Sequence, residues 1–166
     1  MSAIIAAASG GEQLVSSPAR EAGILVAHHD LTIIRARYAS GQPVAGPHIH
    51  HRHTDAFYVL EGELIVQIGR EAETITVSPG GLLAAPPGLA HSLRVGGNRP
   101  ARWLTIHGPD GGFAAFMRGL RDGVEVEWDI APVPADGGLP ASSAVINLGP
   151  GRYTARKAIS CRDIAP

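Results

Sequence analysis

Short apolar runs separated by Gly- and Pro-rich turns fill the middle of this sequence and limit the fold that it can adopt. Between residues 23 and 107, runs rich in Val, Ile, Leu and aromatic residues are interrupted by turn sequences such as Ser78-Pro79-Gly80. Gly tolerates positive φ, and Pro fixes φ and lacks an N–H group, so such clusters end strands. Short strands at this spacing are typical of an all-β sandwich or barrel.

Four histidines and an aspartate stand just before a strongly β-favouring run. Residues 47–62 read PHIHHRHTDAFYVLEG. Side chains alternate along an extended chain, so His48 and His50 face one side and His51 faces the other. After a short break the chain resumes as a strand with Asp55 at its start. This spacing predicts that two imidazoles and a carboxylate meet on one face.

A second stretch ends in a histidine that follows a tight turn. Residues 80–91 read GGLLAAPPGLAH, a short apolar strand followed by a Pro-Pro-Gly turn and then His91. Together, the two stretches resemble the two motifs of the cupin family, G(X)5HXH(X)3-4E(X)6G and G(X)5PXG(X)2H(X)3N. The matching positions are His48, His50, Asp55, Gly62, Gly80, Pro86, Gly88 and His91.

The sequence departs from the family pattern at three positions. Asp55 stands where glutamate is usual, Val95 stands where asparagine is usual, and the first glycine is displaced, with Gly41 the nearest candidate. The first departure changes the carboxylate of the metal site itself, whereas the other two affect only the geometry of turns.

The resemblance implies both an architecture and a metal site. It implies a small antiparallel jelly-roll β-barrel over about residues 23–107, in a single domain over 1–166 with an irregular N-terminal arm, 1–22, and a C-terminal extension, 108–166. It also implies one divalent metal ion, and imidazole with carboxylate suits Fe, Ni, Mn, Zn or Cu. Three imidazoles and one carboxylate leave coordination positions open, as in catalytic sites. The implied ligands are His48, His50, Asp55 and His91.

The residues themselves leave the fourth ligand open. Asp55 is one methylene shorter than glutamate, so it binds the ion directly, binds it through water, or orients a histidine. His53, two residues earlier, is the alternative fourth ligand. His51 is expected at the surface or at an interface, and His107, at the end of the last barrel strand, is a candidate to line the mouth of the site. Apolar residues that either shape the pocket or pack the core are Phe57, Val59, Leu83 and Leu93.

Beyond the barrel, the sequence predicts one helix and one further strand. An apolar stripe at helical spacing, centred on residues 112–119, predicts a short amphipathic helix packed on the barrel. Its members are Phe113, Phe116, Met117 and Leu120. Apolar and acidic residues alternate over 124–130, which predicts a strand at an edge or an interface. Residues 144–148 are a candidate for one more strand.

Charge balance and cysteine content narrow the partners and the compartment. The 166-residue chain has 14 basic and 15 acidic residues and no basic cluster, which argues against a nucleic-acid partner. No apolar stretch is long enough to span a membrane, and residues 1–11 lack the basic region of a signal peptide. A single cysteine, Cys161, suits a reducing compartment. We expect a cytoplasmic protein that binds a small-molecule substrate and forms a homodimer through the arm, 1–22, and the strand at 124–130.

Three functions are compatible with these features. The resemblance suggests first a quercetin-dioxygenase-like oxygenase, in which Asp55 or a nearby carboxylate handles a proton beside a redox-active ion such as Fe(II). The second is a non-oxidative isomerase, cyclase, decarboxylase or hydrolase that uses the ion as a Lewis acid. The third is a ligand-binding cupin without turnover.

Overall fold

Two antiparallel sheets form the body of the fold. The computed structural model describes residues 6–7 and 10–143, together with the backbone of 155–156. The first sheet has the order β1-β2-β3-β10-β5-β8 and the second the order β11-β7-β6-β9-β4. The strands of the first sheet are β1 (Glu12–Ser16), β2 (Arg20–His28), β3 (Leu31–Tyr38), β5 (Thr54–Glu61), β8 (Leu82–Ala85) and β10 (Ala101–Gly108). Those of the second are β4 (Pro43–His48), β6 (Leu64–Ile68), β7 (Glu73–Val77), β9 (His91–Val95) and β11 (Ala155–Arg156).

Buried residues from both sheets form one core cluster between them. In β6, for example, Leu64, Val66 and Ile68 are buried while Gln67 is exposed, the alternation expected of a strand with one core face. The largest fully buried side chain is Trp103 of β10. The predicted all-β jelly-roll architecture with one short helix is confirmed.

The turn from β5 to β6 requires glycine for two reasons. Gly62 has a φ of 68°, a conformation that L side chains rarely adopt. A Cβ atom there would lie 2.4 Å from the carbonyl oxygen of Pro100. This motif glycine therefore lets the hairpin turn pass close to the start of β10.

The predicted helix is present and slightly longer than expected. Helix α1 spans Phe113–Asp122. The carboxylate of Asp110 accepts hydrogen bonds from the N–H groups of Gly112 (2.9 Å) and Ala114 (3.0 Å), so it satisfies donors that the first turn leaves free. Phe113 and Ala114 are buried, but Leu120, placed on the apolar stripe by its spacing, is 62% exposed. The buried face of the helix therefore includes Gly119 near its end but not Leu120.

Residues 124–131, here called the strap, are not the strand that the alternating pattern predicts. The alternation of burial exists, with Val126 and Trp128 partly covered and Glu125 and Glu127 exposed. Within the described residues, however, the strap pairs with a neighbouring backbone only at its end, through the bridge between Ile49 and Ala131. A strand needs a free sheet edge beside it, and the strap instead crosses α1 and passes over the loop after β4.

The N-terminal arm is more regular than expected. Its described part contains β1 and the start of β2, which pair with each other within the chain. Glu12 of β1 forms salt bridges with Arg118 (2.6 Å) and Arg121 (2.7 Å) of α1, so the arm also holds the helix. The candidate strand at 144–148 lies outside the described residues. Among the helices of the described chain, none has the length and apolarity needed to cross a membrane.

Candidate metal centre

Strand register brings distant histidines and the aspartate together at one end of the core. In the second sheet, His48 of β4 pairs directly with His91 of β9. In the first sheet, Asp55 of β5 pairs directly with His107 of β10. Residues 49–53 connect β4 to β5 between the sheets and supply His50 and His53. All six side chains are at most 7% exposed.

The four residues of the two sequence motifs converge on a common point. One ligand atom from each of His48, His50, Asp55 and His91 lies within 4.8 Å of the others. The Nε2 atoms of His48 and His50 are 3.1 Å apart. Asp55 Oδ2 lies 3.4 Å from His91 Nε2 and 3.9 Å from His50 Nε2. The structure thus juxtaposes the four side chains that the motifs single out.

In His48, His50 and His91, the contact at Nδ1 determines whether Nε2 carries a proton or a lone pair. Nδ1 of His48 lies 2.7 Å from the carbonyl oxygen of Gly46. Nδ1 of His50 lies 2.5 Å from the carbonyl oxygen of Asp129, and Nδ1 of His91 lies 3.0 Å from that of Leu89. A carbonyl oxygen only accepts hydrogen bonds, so each Nδ1 carries the proton and each neutral ring has a lone pair on Nε2.

Inward-facing lone pairs at these distances suit a bound cation. Two lone pairs 3.1 Å apart, on His48 and His50, repel each other unless a positive charge lies between them. Two nitrogens bound to one ion at about 2.1 Å and at right angles would lie about 3 Å apart. The donor set therefore fits a divalent ion, and Nδ1–H bonds to backbone carbonyls are the usual outer support of metal-binding histidines.

Burial and neighbouring charges keep His48, His50 and Asp55 in the protonation states that bind metal. Burial, with the nearby His91, lowers the pKa of His48, and burial lowers the pKa of His50 to about 3. Burial alone would raise the pKa of Asp55, but the adjacent His107 and His91 outweigh it and hold that pKa below its usual range. At neutral pH, His48 and His50 are therefore neutral and Asp55 is a carboxylate.

Asp129 of the strap organises the loop that carries His50 and His53, and sequence reasoning missed it. Its carboxylate accepts hydrogen bonds from the N–H groups of His51 (3.0 Å) and Arg52 (2.7 Å) and lies 3.0 Å from Nδ1 of His53. Burial opposes ionisation of Asp129, but these donors outweigh it and lower its pKa. The residue is buried although its position in the alternation matches that of exposed Glu127, so no local signal distinguishes it.

Three further histidines, His51 and His53 of the loop after β4 and His107 of β10, differ in exposure and in contacts. His51 is exposed, as its position in the alternation predicts. His53 is buried beside Trp128, with ring centroids 4.9 Å apart, and burial with the nearby His107 lowers its pKa. His107 lies against Phe113, and its Nε2 is 3.2 Å from Asp55 Oδ1 without the alignment of a hydrogen bond. The apolar candidates Phe57, Val59, Leu83 and Leu93 are all buried in the core cluster.

Comparison with known proteins agrees with this architecture. Residues 34–107 match the family model described as Cupin domain, which covers β3 to β10 and therefore every strand that contributes to the site. Residues 34–107 are therefore a cupin domain. A comparison with curated protein sequences finds no match to this cupin.

Several solved structures share the fold of this cupin. A predicted oxalate decarboxylase from Thermotoga maritima superposes with a TM-score of 0.55 at 19% identity, over 63% of this chain and 98% of that one. An RmlC-like cupin from Shewanella frigidimarina gives 0.53 at 18% identity, over 65% and 92%. KdgF from Halomonas sp. gives 0.51 at 24% identity, over 59% and 86%. At these identities the likeness concerns the fold alone.

Proposed function

We propose that this cupin is a metal-dependent enzyme that acts on a small organic molecule, with one divalent ion held by His48, His50, His91 and Asp55. The observation that carries the proposal is the set of three imidazoles whose Nδ1 atoms are engaged by carbonyl oxygens, so that Nε2 lone pairs converge beside the Asp55 carboxylate. Four protein ligands leave positions open for substrate, as a catalytic site requires.

The chain's own residues provide orientation, a proton acceptor and exclusion of water. A bound divalent ion would supply Lewis acidity and, if redox-active, electrons for dioxygen. Asp55 is the candidate proton acceptor, since it is an ionised carboxylate beside the convergent histidines. Trp128 and the strap cover the loop behind the site, so little water competes with a substrate there.

The first candidate reaction is oxygenation of the quercetin-dioxygenase type, and the second is non-oxidative Lewis-acid chemistry of the isomerase, cyclase, decarboxylase or hydrolase kind. The donor set supports both, because imidazole and carboxylate bind Fe(II) and Zn(II) alike. A binding protein without turnover is the remaining alternative.

Metal analysis of the purified protein tests the proposal. We expect divalent metal in the wild type and its loss in His48→Ala and His50→Ala, whereas His51→Ala, which alters an exposed neighbour, retains it. Asp55→Glu, which restores the family's usual carboxylate, should also retain metal. Absence of bound metal from protein supplied with Fe(II), Mn(II) and Zn(II) would refute the proposal. Oxygen uptake with phenolic and enolic substrates separates the two reactions, because only the oxygenase stops under anaerobic conditions.

A further inference from the structure

Besides His91 Nε2, four buried polar atoms in or next to the four-residue site have no hydrogen-bond partner in the described part of the chain. They are His53 Nε2, Asp55 Oδ1 and both ring nitrogens of His107. Each residue is at most 4% exposed. A buried polar group left unsatisfied costs about 1–3 kcal/mol, so several in one place require an explanation.

His53 and His107 also belong to a second cluster of buried histidines, which lies beside Asp55. His50, His53 and His107 each offer a ring nitrogen within 4.8 Å of the others. His107 Nε2 lies 3.2 Å from Asp55 Oδ1, whereas Asp55 Oδ2 faces His91 at 3.4 Å. The two oxygens of one carboxylate thus point at two different sets of imidazoles.

His53 is arranged in the same way as a metal-binding histidine. Its Nδ1 lies 3.0 Å from Oδ2 of Asp129, and that carboxylate is itself held by backbone N–H groups. When Nδ1–H donates a hydrogen bond to this carboxylate, the lone pair of the neutral ring is on Nε2, the unpartnered atom. A carboxylate behind the imidazole is a common outer support for a metal ligand. His50 does not complete this group, because its Nε2 atom lies 3.1 Å from His48 Nε2 in the first one.

We propose that His53 Nε2, His107 Nε2 and Asp55 Oδ1 hold a second divalent first-row cation, so that Asp55 bridges a dinuclear centre. Two imidazoles and one carboxylate oxygen suit Mn(II), Fe(II) or Zn(II) and leave positions open for water or substrate oxygens. A bridging carboxylate places the two ions about 3.5–4 Å apart, the spacing of two-metal catalytic sites. The bridging role of Asp55 rests on the proposed function, because its other carboxylate oxygen, Oδ2, is assigned to the first ion.

Metal stoichiometry tests this inference. Chelated full-length protein is reloaded with excess Mn(II), freed of unbound metal, and analysed for metal per chain. We expect two ions per chain in the wild type and in His51→Ala, and one in the His53→Gln/His107→Gln variant. We expect the first ion to be the one lost in His48→Ala/His91→Ala. Mn(II) paramagnetic resonance gives a second readout, since two ions at this spacing are exchange-coupled and a single ion is not.

The outcomes separate this inference from the proposed function. Saturation of the wild type at one ion that survives His53→Gln/His107→Gln overturns the dinuclear centre and leaves the proposed single-ion site in place. Saturation at one ion that depends on His53 and His107 overturns both assignments, and so does a wild type that binds none. Where a variant fails to fold, the wild type alone decides the question. Two ions per chain with a coupled resonance signal support the dinuclear centre, and one ion with an uncoupled signal overturns it.

Discussion

At the scale of single residues, the tautomer and the orientation of the site histidines depend on the groups that contact their Nδ1 atoms. In His48, His50 and His91, a carbonyl oxygen beside Nδ1 leaves the lone pair on the inward Nε2 atom, and two of those carbonyls, on Gly46 and Leu89, lie only two residues from the histidine that they contact. The third belongs to Asp129, far along the chain. Asp129 therefore combines a backbone contact to His50 with a carboxylate that satisfies the loop, which makes it a positioning residue.

Replacing Asp129 should weaken both the fold and metal binding. Asp129→Ala leaves the N–H groups of His51 and Arg52 without their acceptor, and we expect a loss of about 2–4 kcal/mol in the free energy of unfolding. Metal affinity should fall about 10–100-fold, as for other outer supports of metal ligands. Urea denaturation and metal titration measure the two effects. Glu127→Ala, an exposed change on the same strap, is the matched control, and equal behaviour of the two variants would contradict the role of Asp129.

At the scale of elements, the strap is the part of the molecule that joins the helix to the site. It packs against α1 where Gly119 leaves space: a Cβ atom on Gly119 would lie 2.6 Å from Val126 Cγ2 and 2.6 Å from the carbonyl oxygen of Val124. It reaches the site through Trp128, whose ring stacks on those of Phe116 and His53. The helix therefore supports the loop after β4 through the strap.

Adding a methyl group at Gly119 should displace the strap. Because one of the two close atoms is backbone, we expect Gly119→Ala to lower the free energy of unfolding by about 1–3 kcal/mol and to weaken metal binding through Asp129. Leu120→Ala, an exposed change on the same helix, is the control. Thermal melts and metal titration of both variants test the idea, which fails if Gly119→Ala melts and binds metal like the wild type.

At the scale of the whole molecule, the cluster of buried histidines makes stability depend on pH. The pKa values of His48, His50 and His53 are lowered from 6.5 in the folded protein, mainly by burial. Below pH 6.5 the unfolded chain therefore binds more protons than the folded one, so stability decreases as pH falls. The lowered pKa values of Asp55 and Asp129 act in the same direction below their ordinary value of 3.8.

Metal-free protein should accordingly lose stability on mild acidification. Between pH 6.5 and pH 5 we expect a decrease of about 1–2 kcal/mol from His50 alone, because its pKa of about 3 keeps it neutral over that interval. Urea midpoints at pH 8, 6.5, 5.5 and 5 measure the change. A midpoint that stays constant from pH 8 to pH 5 would show that the folded histidines titrate normally.

The expected homodimer remains a prediction, although its structural basis differs from the one that the sequence suggested. The strap covers the metal site rather than offering an edge, and the described part of the arm pairs with its own chain. Strand β1 is at one edge of the six-stranded sheet, and an exposed edge is a site for pairing with a second copy. We expect light scattering at micromolar concentration to give twice the 17.3 kDa chain mass. A mass near 17.3 kDa would exclude the dimer.

The sequence by itself determined what depends on neighbours along the chain. Alternation over residues 47–51 placed His48 and His50 on one face, the resemblance to the second cupin motif added His91, and the run that begins near Asp55 was recognisable as a strand. The apolar stripe at 113–117 likewise predicted the start of α1. These features follow from side-chain periodicity and from the φ preferences of Gly and Pro, which are local.

Only the tertiary structure decided how the strap runs and which groups complete the site. Asp129 lies 79 residues after His50, and its alternating neighbours read as a strand because local periodicity does not show whether a sheet edge is available. His107 faces Asp55 because β10 lies beside β5, a pairing between strands that are distant in sequence. Local pattern reports which side of a strand a residue occupies, whereas burial and hydrogen-bond partners depend on what packs against that side.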